Sequence, residues 1–319
     1  MFDCNAIAQQ YGEAYWREFA FFSANVQQVL GVCDTAVQFE LYTATKEFGK
    51  RQAMLDLREV LDHPILDLGD LLPIAPCFLA TFHYGYYRLL PLLLLQQGRR
   101  IAVIVSDDAL ADQQLYYATV MEQCWADTLV FVRAEDTHLF FKIRKLVARG
   151  YDILCYMDGG TGVGRDHAPD TKYTRIKLAG AAVRARKGAL DMAYLLALPV
   201  YMLRSEVDPR TDIVALSIEA IGTRDRAISR ETFVVHTLQK LYDALGRAIQ
   251  WDSRQWEGWL YMHRDMKPQS QLDCFEDQCR FIPFQLYGGY FLLDKMCYGI
   301  YPLDGRQYAI AWQKFGYCA

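Results

Sequence analysis

From residue 77 to residue 157 the chain repeats one pattern, a short continuous apolar run followed by a longer segment of helical periodicity, and few architectures accommodate it. The apolar runs fall at 77–82, 101–105, 128–132 and 153–157, with helical spacing over 110–124 and 138–148. Runs without polar alternation suit strands covered on both faces, and such strands joined by crossover helices form a parallel sheet. The spacing then predicts a helix over 181–198, strands over 199–203 and 213–221, and a long helix over 232–249. We expect one α/β domain over residues 1–268, its sheet mixed but largely parallel and flanked by helices. Of the 319 residues 52% are hydrophobic and 14% aromatic, enough to fill a core of that size. No internal repeat or low-complexity linker interrupts it.

The two ends differ from this middle. Tyr15, Trp16, Phe19, Phe22, Val26, Val29 and Leu30 recur at spacings of three and four, which marks an amphipathic helix over 11–30. Glu13 and Glu18 against a single Arg17 make an anionic bilayer a poor partner for it, so we expect it to dock on the protein's own core. A second helix is expected over 34–61, closed by His63-Pro64, because the pyrrolidine ring disfavours helix in the residue before it. Residues 269–319 read as an aromatic extension. Within it Tyr298–Tyr301 and Tyr308–Trp312 flank Asp304-Gly305, a turn signal that predicts a β-hairpin.

Charge and cysteine usage exclude several classes of function. A formal net charge of -4 supplies no general basic field, so a nucleic-acid partner is not expected. The longest apolar run, 89–95, is far short of the roughly 18–20 residues of a membrane span, which leaves peripheral membrane contact at most. The nine cysteines are scattered, several inside apolar runs and with no secretory signal ahead of them, a pattern that suits reduced thiols and a cytoplasmic setting. Cys274 and Cys279 have no second close pair, so a zinc site is not expected; nor do we expect any other metal or a bound cofactor.

Four stretches carry the residue types that chemistry needs. In Thr81-Phe-His83-Tyr84-Gly85 the first apolar run delivers a histidine to a strand-to-helix junction. There it could take a proton from a nucleophile, while N–H groups near Tyr84 and Gly85 hold an oxyanion. A packed core histidine is the competing reading. The second stretch, Tyr156-Met-Asp158-Gly159-Gly160-Thr161, is a strand end followed by a carboxylate and glycines that allow a ligand to approach the backbone, or simply a surface turn. It lacks the Gly-Lys-Ser/Thr of a nucleotide-hydrolase loop and the glycine spacing of a dinucleotide fingerprint. The third, Lys177 to Gly188, sets Arg184, Arg186 and Lys187 near the start of the helix expected at 181–198. Cations there oppose the helix dipole, so they mark either a phosphate site or a solvated basic face. The fourth holds Gln255-Trp256, Trp259 and His263-Arg264-Asp265-Met-Lys267-Pro268; its kinase-like His-Arg-Asp lacks the downstream Asn and Asp-Phe-Gly.

Taken in this order and spacing, the four stretches resemble the lysophospholipid acyltransferase superfamily, and within it the late lipid A (lauroyl/myristoyl) acyltransferase branch, over residues 20–268. His83 matches the family's catalytic histidine. The stretch from Tyr156 to Thr161 is similar to the acceptor-binding Pro-Asp/Glu-Gly-Thr block. Lys177-Leu-Ala-Gly180 running on to Pro199-Val-Tyr-Met is similar to the family's Phe-Phe-Gly segment and the strand beyond it. Gln255-Trp256 through Pro268 is similar to the signature that closes its domain.

The resemblance implies transfer of an acyl group from a thioester donor, an acyl or peptidyl carrier protein or coenzyme A, to a hydroxyl or amine. On that reading His83 deprotonates a small-molecule or carrier-bound acceptor, as in specialised natural-product biosynthesis, and Asp158 orients His83 or the acceptor. Gly159, Gly160 and Thr161 contact the acceptor, while Arg186, Lys187 and Arg88 meet the donor's phosphate or an acidic group. Two departures stand out. The family's His-x4-Asp/Glu acid is Arg88 here, and a guanidinium cannot accept the imidazole N–H. Another carboxylate such as Asp158 must then orient His83, or the site is a hydrolase or an inert binding scaffold. In place of the family's amino-terminal membrane helix stands the amphipathic 11–30 segment.

Overall fold

The computed structural model describes residues 2–54, 71–120, 127–159, 170–208, 210–211, 214–264, 280–315 and 317–318. Two compact units emerge from it, one made of Met1–Lys50, Lys177–Arg184 and Gly246–Ala319, the other of Arg51–Ile176 and Ala185–Leu245.

The second unit holds the α/β sheet. Its strands are β2 (Phe78–Thr81), β3 (Arg100–Val105), β4 (Leu129–Arg133), β5 (Tyr151–Tyr156), β8 (Val200–Val207) and β9 (Val214–Gly222), in the order β4-β3-β5-β2-β8-β9. All neighbours run parallel except β9, which returns antiparallel along β8. The sheet is therefore mixed and largely parallel. Phe78, Leu79, Ala80 and Thr81 are all fully buried, as a central strand covered on both faces requires. Helix α4 (Leu90–Gln96) follows β2 with Pro91 in its first turn and every residue from Leu90 to Leu95 buried. Gly98, at φ +71°, then lets the chain turn sharply into β3. Helices α5 (Asp107–Val120) and α6 (Leu139–Ala148) make the crossovers β3–β4 and β4–β5.

At the amino edge of the sheet Asp152 is almost wholly buried. It accepts two 2.7 Å bonds from the Arg99 guanidinium and a 2.8 Å bond from the Cys77 N–H. A buried carboxylate so fully satisfied locks β5 to the entry of β2.

In the first unit, α1 (Cys4–Tyr11) and α2 (Glu13–Leu30) are separated by Gly12 at φ +86°. Trp16, Phe19, Phe22, Val26 and Val29 pack inward as the periodicity predicts, but every residue from Phe22 to Val29 is buried, polar ones included. Ser23, Asn25 and Gln28 find backbone partners, while Gln27 donates to Met296 Sδ at 3.8 Å. Asn25 donates to the Trp259 carbonyl at 2.6 Å, and Gln28 to the Lys295 and Met296 carbonyls at 2.8 and 2.7 Å. Helix α2 is thus enclosed over its second half rather than amphipathic throughout. Helix α3 (Thr35–Met54) follows; the expected continuation to residue 61, and His63, lie outside the described residues.

Two expectations are corrected. The segment predicted as one helix over 181–198 begins as a strand, β7 (Ala181–Arg186), paired with β6 (Tyr173–Leu178), and only then forms α7 (Gly188–Leu195). Ala181, Val183 and Ala185 are buried and alternate with Ala182, Arg184 and Arg186, a two-residue period hidden by helix-favouring alanines. The hairpin expected around Asp304-Gly305 is also absent. The carboxy-terminal sheet is the antiparallel meander β10 (Phe281–Leu286), β11 (Gly289–Asp294) and β12 (Gly299–Leu303), followed by helix α9 (Gly305–Phe315). Asp304 accepts from the Gln307 N–H at 2.7 Å while Gln307 Oε1 accepts from the Asp304 N–H at 2.9 Å. That reciprocal capping box starts a helix where composition suggested a turn. The β-turn lies earlier, at Tyr287-Gly288, both with positive φ. Two-residue strands β1 (Phe2–Asp3) and β13 (Tyr317–Cys318) pair antiparallel. Helix α8 (Arg230–Trp251) completes the fold, and no helix among the described residues is long and apolar enough to cross a membrane.

Candidate active site

Sheet register brings together two residues 75 positions apart. Thr81 at the end of β2 stands opposite Tyr156 at the end of β5, and the pairing runs one step further as the Met157 N–H donates to the Thr81 carbonyl at 2.7 Å. Two residues beyond each strand end, His83 therefore faces Asp158. The His83 backbone N–H donates to both carboxylate oxygens at 3.2 and 3.1 Å, and its Nδ1 donates to Asp158 Oδ1 at 2.8 Å. With Nδ1 engaged in this way, the imidazole exchanges protons through Nε2. The carboxylate is 6% exposed and the imidazole 24%, so the acid is sheltered and the base is reachable.

Two tyrosines fix the ring. Tyr156 stacks on His83 at 4.8 Å and 23°, and Tyr87 meets it edge-on at 4.8 Å and 79°. The Tyr156 hydroxyl donates to the Tyr87 carbonyl at 3.2 Å; burial pushes that hydroxyl well above its ordinary range, keeping it a neutral donor. Neither tyrosine stood out in the sequence as a site residue. Tyr156 entered the sequence reading only as part of the 153–157 run and as the first residue of the stretch that resembles the acceptor-binding block.

His83 lines a cavity of about 560 Å³ at the carboxyl ends of β2, β3 and β5. This is where an open α/β sheet presents its loops and where ligands bind in such folds. One part of the wall is apolar, with Ile104, Val105, Leu139, Met157 and Met192; another is cationic, with Lys172, Arg186 and Lys187. Arg186 donates to the Tyr173 hydroxyl at 3.2 Å, which fixes its guanidinium. Gly188 and Ala189 of α7 share that wall, and no side chain caps the helix, so its first N–H groups present partial positive charge beside the cations. Cys155 also lines the cavity, but burial first and the Asp158 charge second push its thiol up to about 12, which makes it a poor nucleophile near neutrality.

The other expected site residues separate. Gly159 lines the cavity, with its N–H donating to the Tyr156 carbonyl at 3.3 Å. Gly160 and Thr161 lie outside the described residues. Tyr84 is buried and spends its N–H on the Phe82 carbonyl at 2.7 Å, while Gly85, at φ +63°, bridges to Ser205 and accepts from Gln52 at 2.7 Å. Neither lines the cavity. Arg88 does not line the cavity itself but lies behind Tyr87, which does. It sits in a 3-10 turn (Tyr87–Leu89), not on a regular helix, and its guanidinium rests 5.2 Å from the Tyr116 ring centroid and 5.7 Å from that of Tyr87.

Of the basic stretch, only Arg186 and Lys187 reach the cavity; Lys177 and Arg184 lie on the β6–β7 hairpin. Gln255, Trp256 and Trp259 are core of the first unit. The two indoles pack 4.8 Å apart, Trp259 Nε1 donates to the Ser253 carbonyl at 2.7 Å, and Gln255 donates to Asp252 at 3.0 Å. His263 stacks on Phe21, and residues 265–268 lie outside the described part. No family model matches the chain, and no curated protein matches it in sequence.

Proposed function

We propose that the protein is an acyltransferase that moves an acyl group from a carrier-protein or coenzyme A thioester to a hydroxyl or amine of a small or carrier-bound acceptor. One observation carries the reading: a register-imposed Asp158–His83 pair on the wall of a cavity that is apolar along one part and cationic along another. The pair supplies a general base held in one tautomer. The apolar wall suits an acyl chain, and Arg186, Lys187 and the α7 amino terminus suit the phosphate of a phosphopantetheine arm. Asp158 takes the orienting role that Arg88 cannot, which supports a working general base at a site whose His-x4-Asp/Glu position is Arg88.

In the proposed reaction Nε2 of His83 accepts the acceptor's O–H or N–H proton as that atom attacks the thioester carbonyl. Collapse of the tetrahedral intermediate breaks the C–S bond, and the imidazolium returns its proton to the leaving thiolate. An ester or amide and a free thiol result. The raised Cys155 thiol argues against an acyl-cysteine intermediate, so transfer is direct. We place this chemistry in the cytoplasm, where Cys33, Cys77, Cys155 and Cys297 would remain the free thiols seen here.

Intact-mass spectrometry of acyl-loaded carrier protein, incubated with the protein and a pool of small amines and alcohols, tests the proposal. The expected result is loss of the acyl group with a new acylated small molecule. Free fatty acid alone would assign a hydrolase, and saturable binding without turnover would assign a scaffold.

A further inference from the structure

The first unit contains a second cavity, of about 650 Å³, that shares no lining residue with the His83 cavity. Its aromatic wall is continuous. Tyr290 of β11 stacks on Tyr308 of α9 at 4.4 Å, Tyr308 meets Trp312 one turn on at 6.0 Å, and Trp312 meets Trp16 of α2 at 5.5 Å. Trp16 is buried, with its indole N–H donating to the Pro283 carbonyl at 2.7 Å, so it closes the base; Tyr290 is 36% exposed at the rim.

Against this wall stands one carboxylate. Gly12, at φ +86°, breaks the chain between α1 and α2 and sets Glu13, which is exposed, in the first turn of α2 facing the cavity. With the Gln285 amide turned so that its nitrogen faces the carboxylate, Glu13 accepts from it, a neutral donor. Among the described residues no lysine, arginine or histidine lines the cavity. An electron-rich aromatic wall and a carboxylate thus share one space, with only neutral groups beside them among the described lining residues.

We propose that this cavity binds an organic cation, a substituted ammonium group carried on a small molecule. Ring faces attract such a group through their quadrupole, and methylated ammonium ions gain most because they lose little hydration on entry. Glu13 supplies the counter-charge, the Gln285 hydrogen bond holds that carboxylate, and stacking on Tyr290 holds the Tyr308 ring. The volume exceeds that of an ammonium head alone and lies within the range of small-molecule pockets, so the cation is part of a larger ligand.

The test is calorimetric titration of the full-length protein with choline, at constant ionic strength set by potassium chloride, beside its neutral isostere 3,3-dimethyl-1-butanol. Choline is expected to bind saturably and about tenfold or more tightly than the isostere, as ring attraction plus a counter-charge implies. Glu13→Gln and Tyr290→Leu, both at exposed positions and checked for unchanged melting, should each weaken choline by about fivefold or more. Absence of saturable choline binding, equal affinity for the isostere, or unchanged affinity in either folded variant would overturn the proposal. The comparison of choline with the isostere on the unmodified protein decides the matter even if a variant fails to fold.

Discussion

Asp158 meets His83 through both its backbone N–H and its Nδ1, so the carboxylate fixes where the histidine sits as well as which tautomer it adopts. Asp158→Asn keeps the shape but presents an amide to a donor. Turnover should fall by about 10²–10⁴-fold, the range ascribed to a positioned acid–base group, with donor binding retained; steady-state kinetics with a direct binding measurement separates the two. Cys155→Ala should keep turnover within a few-fold, because a thiol held near 12 contributes no nucleophile. A loss as large as that of Asp158→Asn would instead point to an acyl-cysteine step. At this scale His83 and Asp158 could each be picked out of the sequence, yet their contact could not, since it depends on which strands become neighbours. Arg88 shows the converse. Spacing alone set it five residues from His83 as though on a helix, and the 3-10 turn directs it to Tyr116.

Among the elements, the carboxy-terminal meander and α9 depend on a few polar contacts. Removing the Asp304 cap with Asp304→Ala should cost about 1 kcal/mol, the usual worth of an N-cap, measurable by chemical denaturation. Asp294 is buried on β11. Burial alone would raise its carboxyl, but the Arg280 guanidinium at 2.8 Å and the Met296 N–H at 2.9 Å outweigh that and hold it below the usual carboxylate range. A depressed carboxylate adds stability above the unfolded value of about 3.9 and loses it as pH falls through the folded value. Stability should therefore be unaffected by this pair from pH 7 to 5 and drop below about pH 4, and Asp294→Asn should flatten that acid limb in thermal melts across pH. Gly258 faces a different constraint, since a Cβ there would lie 2.3 Å from the buried Trp256 ring. Gly258→Ala should destabilise by about 1–3 kcal/mol, the range for overpacking. That glycine lies within the Gln255 to Pro268 stretch that resembles the acyltransferase signature, so the described part of that stretch has a packing role.

Across the whole molecule, the alternation of apolar runs and helical spacing was enough to read the central sheet, because burial on both faces leaves a plain compositional mark on each strand. The β6–β7 hairpin was harder, whereas β9 falls almost where the 213–221 strand was expected. In the hairpin, small residues alternate with cations, and alanine favours helix when taken locally. The division of the chain into two units, each with residues from distant segments, leaves no linker to be seen in composition. The cavity was still less legible, since it draws on strand ends and loops from residue 83 to residue 192. Only the sheet order joins them. The central claim, that His83 on Asp158 drives acyl transfer from this cavity, meets its most direct test in a single-turnover measurement of acyl-carrier deacylation by the unmodified protein and by His83→Ala at equal donor occupancy. We predict acyl loss with an acceptor-dependent product in the former and a rate lower by about 10²-fold or more in the latter. Equal rates in the two, with both proteins folded and both binding donor, would contradict it.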